Sequence, residues 1–93
     1  MAIWPGGYVR GMDVVDQLDP TPLYVQLANI LRALINSGEL KPRELLPSES
    51  HLQQQYGVPR GTVRTAVGIL RDEGLVVTIG GRGTFVRPGR AGQ

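Results

Sequence analysis

Residues 47–76, PSESHLQQQYGVPRGTVRTAVGILRDEGLV, followed by GGRGTFV at 80–86, decide how this chain folds. Ser48 is placed to cap a helix whose apolar residues Leu52 and Tyr56 stand four apart on one face. Gly57 then supplies the left-handed conformation that lets the chain turn. A second helix follows within a few residues. It buries Val63, Ala66, Val67 and Leu70 at helical spacing, while Arg60, Thr62 and Arg64 fall towards the opposite side. Leu75 to Ile79 is rich in β-branched residues, Gly80-Gly81-Arg82-Gly83 makes a turn, and Thr84-Phe85-Val86 returns. The order predicts a winged helix-turn-helix: α+β, mostly α, with three helices and a small antiparallel β-hairpin wing. Its apolar faces dock together, and the basic face of the second helix stays free to enter a groove.

The third helix lies upstream. Thr21 is expected as the N-cap with Pro22 at the first helical position, where a missing amide hydrogen costs nothing. Leu23, Leu27, Ile30, Leu31, Leu34 and Ile35 trace an apolar stripe that Ser37-Gly38 ends. A coiled-coil dimer helix is the weaker reading, because the stripe runs for barely two heptads. Leu45-Leu46, after the Lys41-Pro42 loop, is short enough to add one strand to the wing sheet. Residues 1–20 contain Pro5, Gly6, Gly7, Gly11 and Pro20 without a helical period. They are expected to form a flexible arm, with Trp4 and Tyr8 loosely packed and Val14-Val15 open to a short strand or a dimer contact. The domain is expected over 21–87, with a flexible tail at 88–93.

The formal net charge is +2, but it is unevenly placed. Residues 60–93 hold six arginines against Asp72 and Glu73, whereas residues 1–59 hold four Lys or Arg against six Asp or Glu. Positive charge therefore gathers on the second helix of the motif and on the wing. The chain has no cysteine and one histidine, His51, which excludes disulfides and leaves no ligand set for a metal. No apolar run approaches a membrane span or a signal-peptide core, so a cytoplasmic location is expected. No cofactor is expected either: GGRG lacks the Gly-Lys-Ser/Thr ending of a phosphate loop and joins two strands instead of opening a helix.

Four pieces in order, PLYVQLANILRALINSGEL at 22–40, LPSE at 46–49, YGVPRGTVR at 56–64 and EGLVVTIGGRGTFV at 73–86, resemble the DNA-binding domain of GntR-type (gluconate-repressor-like) bacterial transcription regulators. The resemblance covers most of the chain. It implies a DNA-binding site in which Arg60 and Arg64 contact operator bases or adjoining phosphates, with Thr62 in support and Ser48, Ser50 and Gly61 nearby. Gly81 and Arg82 match the wing tip, and Thr84 holds the hairpin or reaches a phosphate. Arginine suits the task because its planar fork donates two hydrogen bonds to guanine O6 and N7. A bland reading stands beside it, in which Arg64 makes a surface salt bridge and GGRG is only a turn.

Three positions depart from the family pattern. Ser50 stands where an arginine that approaches the bases is common, Pro59 replaces a serine cap, and Gly80 replaces a longer polar wing residue. The fold is expected to tolerate all three, with low affinity for a monomer. The resemblance also implies a repressor bound as a homodimer to a short inverted repeat of double-stranded DNA, since one such module buries only about 600–1,000 Å². Family members commonly carry a ligand-sensing domain after the wing. Here a stand-alone module or a fragment of a longer regulator is expected, with no small-molecule effector site in this chain. The competing reading is a winged-helix protein-interaction module. An enzyme is not expected, because no nucleophile, base and orienting residue occur at a recognisable spacing.

Overall fold

Helix α1, Leu23–Ser37, turns its apolar stripe inward: Leu27, Ala28, Ile30, Leu31, Leu34 and Ile35 are all buried. Opposite lies α3, Arg60–Asp72, which buries Val63, Ala66 and Leu70 and packs along α1. Val67, expected in the core, is half-buried at its edge. Helix α2, Glu49–Tyr56, closes the third side with Leu52 and Tyr56. The computed structural model describes residues 14–88; Trp4, Tyr8 and the rest of the arm through Asp13, and the tail from Gly89, lie outside the described residues.

The caps explain where each helix begins. Ser48 Oγ accepts the His51 amide at 3.1 Å, so α2 starts where its sequence indicates. Between α2 and α3 the chain reverses over three residues, with Gly57 at φ 66°, a conformation that a side chain with a Cβ disfavours. Pro59 caps α3 without any side-chain hydrogen bond, and its carbonyl accepts the Val63 amide at 3.2 Å. The start of α1 differs from expectation. Pro22, at ψ 143°, is itself the cap residue and Leu23 the first helical one. Thr21 is not the cap, because Asp19 Oδ1 takes its amide at 2.8 Å and holds it in a preceding turn.

Packing also begins ahead of residue 21. Val15 is buried in the same core as α1, whereas Val14 is exposed, and the pair forms no strand. The Gln26 side chain accepts the Asp16 amide at 2.8 Å and donates to the carbonyls of Asp16 and Thr21. Gln17 Nε2 reaches the Gly57 carbonyl at 3.2 Å, which ties this segment to the turn after α2.

Strands β1, Val76–Ile79, and β2, Gly83–Val86, pair antiparallel with Val76 opposite Val86 and Ile79 opposite Gly83. Gly83, expected in the turn, is thus the first residue of β2. The segment before α2 joins as a third line: Leu45 bridges to Phe85, Leu46 N–H donates to Thr84 O at 2.8 Å, and Arg43 N–H donates to Val86 O at 2.8 Å. Val76 and Val86 are almost fully buried against the helices, so the inner end of the hairpin is fixed and the tip projects. At the far end of α3, Arg32 of α1 forms a fork on Glu73, Nε to Oε1 at 2.9 Å and Nη2 to Oε2 at 2.7 Å. That hydrogen bonding raises the Arg32 pKa further and locks α1 to the exit of α3. No helix among the described residues is long and apolar enough to cross a membrane.

Candidate nucleic-acid interface

This packing leaves one face of α3 exposed, beside a cleft between α3, the start of α2 and the wing. At about 100° per residue, Arg60, Arg64 and Arg71 fall within a sector of roughly 40°, with Val67 close beside it. The stripe runs for about 16 Å along the helix axis. Arg60, Arg64 and Arg71 are exposed. The adjoining cleft, about 500 Å³, is lined on one side by Val63, Arg64, Val67 and Arg71 and on the other by Thr78, Arg82, Gly83 and Thr84.

The expected site residues divide by element. Arg60, Gly61, Thr62 and Arg64 occupy the first turns of α3, all exposed except Thr62, which is half-buried. Nothing lies within 4 Å of where a Cβ on Gly61 would be, so this position is open. Ser48 and Ser50 stand at the start of α2 and are exposed, but Ser48 Oγ is engaged as the cap. Gly81 and Arg82 are exposed at the hairpin tip, where the Arg82 amide closes a turn on the Ile79 carbonyl at 3.0 Å. Thr84 holds the hairpin through a 2.9 Å hydrogen bond between its hydroxyl and that of Thr78. The structure brings Ser48, Arg64, Arg82 and Thr84 to one cleft; Ser50, Arg60, Gly61, Thr62 and Gly81 do not line it.

Two residues of this surface were not singled out by sequence. Glu49 accepts from Arg64 Nε at 2.9 Å and stands 3.9 Å from Arg60 Nε, so one carboxylate spans both arginines across the helix-turn-helix. Arg64 therefore does make the salt bridge of the bland reading, yet 62% of its side chain stays exposed and available on the outer side. Arg71 donates from Nε to the Thr78 hydroxyl at 3.3 Å. Its spacing of seven from Arg64 was the signal that could have found it. Among the described residues no cluster of His, Cys, Asp or Glu is arranged to hold a metal.

Residues 23–86 match the family described as bacterial regulatory proteins, gntR family. The chain is 43% identical over 72 residues to the HTH-type transcriptional repressor NagR of Bacillus subtilis (strain 168), covering 77% of this chain and 30% of that protein. It is 46% identical over 69 residues to the mannosyl-D-glycerate transport/metabolism system repressor MngR of Escherichia coli (strain K12), covering 74% of this chain and 29% of that one. The chain thus spans less than a third of the length of either repressor. Its fold superposes on the crystal structure of AraR(DBD) in complex with operator ORX1 with a TM-score of 0.73 at 38% identity, covering 78% of this chain and 93% of that one. By sequence and by fold, the chain belongs to the bacterial regulatory proteins of the gntR family.

Proposed function

We propose that this chain binds double-stranded DNA sequence-specifically and represses bacterial transcription, with α3 in the major groove and the wing tip at the flanking minor groove. The observation that carries the reading is the cationic stripe of α3, of which Arg64 and Arg71 line a cleft whose other wall is the Arg82-bearing hairpin. Arg60 and Arg64 sit at the N-terminal end of α3, the end that a recognition helix inserts, and supply forked donors to guanine or phosphate. Thr62 and Gly61 flank them, Ser48 and Ser50 lie at the start of the supporting helix, and Thr84 stands beside the wing arginine. Gly81 and Arg82 present backbone and one charge to a narrow minor groove. The operator complex of the similar AraR domain and the repressor relatives support the same reading.

Two copies on an inverted repeat supply the footprint that one small module lacks. No effector site is assigned to this chain, and its action belongs in the cytoplasm with the DNA it reads. Selection of duplexes from a random pool, followed by titration at several salt concentrations, tests the proposal. A half-site recovered twice in inverted order, with steep salt dependence, supports it. Failure to enrich any sequence, or binding that does not change with salt, overturns it.

A further inference from the structure

The cation at the far end of the stripe is distinct from the pair at its start. Arg60 and Arg64 share the Glu49 carboxylate. Arg71, about three turns beyond Arg60 and about two beyond Arg64, faces a hydroxyl instead: its Nε donates to Thr78 Oγ1 at 3.3 Å, and Thr78 Oγ1 lies 2.9 Å from Thr84 Oγ1. Helix, first wing strand and second wing strand are thereby joined through three side chains on the cleft wall. Glu73, the carboxylate two residues on, is held by Arg32 on the α1 side. Among the described residues Arg71 makes no ion pair, and its recorded partner is the Thr78 hydroxyl.

We infer that Arg71 is a phosphate clamp: it binds a backbone phosphate of the DNA strand that passes between α3 and the wing, with Thr78 and Thr84 fixing its guanidinium for that contact. The inference rests on the DNA-binding reading above. Geometry selects phosphate over base. The N-terminal end of α3 enters a major groove about 8.5 Å deep, while Arg71 lies about 16 Å along the axis from Arg60, at the lip where the sugar-phosphate chain runs. The Nε–H is committed to Thr78, which orients the planar group and leaves the two terminal nitrogens as a pair of donors for phosphate oxygens. A contact of this kind adds affinity and register without sequence preference.

The test is a salt titration of the whole chain against its selected operator and a scrambled duplex. Arg71→Ala is expected to weaken both duplexes alike, by about tenfold, and to reduce the slope of log K against log salt by about one. Arg71→Lys is expected to restore the slope but not the full affinity, because a point charge replaces the oriented fork. Thr78→Val is expected to lose affinity severalfold with the slope intact. Thermal melting of each variant identifies any that fails to fold. An Arg71→Ala variant that is folded and keeps the parent slope overturns the clamp, as does one that loses only the operator preference. A parent that binds neither duplex overturns the DNA-binding reading instead.

Discussion

Arg64 and Glu49 are fifteen residues apart in sequence and 2.9 Å apart across the helix-turn-helix, with the same carboxylate also facing Arg60. The pair lies on the surface, so its worth to stability is small, about 0–1 kcal/mol. Its effect is on geometry: a carboxylate on one side of two long side chains restricts where their guanidinium groups point. We expect Glu49→Gln to raise affinity for scrambled DNA, because a negative charge facing phosphate is removed. Operator affinity should not rise in proportion, so the operator-to-scrambled ratio falls severalfold. Paired titrations read this directly, and an unchanged ratio would show that the arginines orient themselves without Glu49.

Arg60→Ala and Arg64→Ala should each weaken operator binding by about 1–3 kcal/mol and leave the fold intact, since both side chains are exposed. Titration against operator and scrambled duplexes is the measurement. Parent-like operator binding by both variants would mean that the start of α3 is not the base-reading end.

Gly83 combines two constraints at the tip end of the wing hairpin, where it pairs with Ile79. Its φ is 121°, and a Cβ placed there would stand 2.7 Å from Leu45 Cδ1. Gly83→Ala should therefore destabilise by about 1–3 kcal/mol in chemical denaturation. The Leu45 side chain is half-exposed and can rotate away, whereas the backbone cannot. Adding Leu45→Ala should thus recover only a minor part of the loss. Full recovery would assign the cost to the steric contact and not to the backbone.

What the sequence made legible is local. Ser48, Leu52, Tyr56 and Gly57 follow from helical spacing and cap chemistry within one turn, and the burial of Val63, Ala66 and Leu70 follows from a period of about 3.6. Pro22 was placed one position too far into α1, because Pro suits both the cap and the first helical position and only the Asp19 turn decides between them. The Glu49 bridge, the Gln17 contact to the Gly57 carbonyl and the burial of Val15 are tertiary. They join segments whose approach depends on how α1, α2 and α3 cross, which no spacing within one element encodes. Arg71 is intermediate: its place on the stripe was readable, but its hydroxyl partner on β1 was not.

The turn ahead of α1 should respond to pH. Asp19 accepts the Thr21 amide, and that backbone hydrogen bond holds its carboxyl below the usual value of 3.8. A group whose pKa is lowered by folding stabilises the folded state above its unfolded value and ceases to do so as pH falls through its folded value. Asp19→Asn keeps an acceptor oxygen but removes the charge. The parent should melt slightly higher than this variant at neutral pH, and the difference should vanish in acid below the carboxylate range. A difference that persists there would point to shape, not charge, as the contribution of Asp19.

Ser50 offers a gain-of-function test of the docking geometry. It is exposed in the first turn of α2, beside Glu49, whose carboxylate reaches Arg64 and Arg60 of α3. Ser50→Arg should place a charge and a forked donor near the groove edge and tighten operator binding by about 1 kcal/mol. The same arginine faces the positive end of the α2 dipole, which costs about 0.3–1 kcal/mol of stability. One variant must therefore give opposite signs in two measurements, tighter DNA binding with an equal or lower melting temperature. No gain in operator affinity at low or moderate salt would mean that the start of α2 does not approach the duplex and that this domain docks differently from the proposed arrangement.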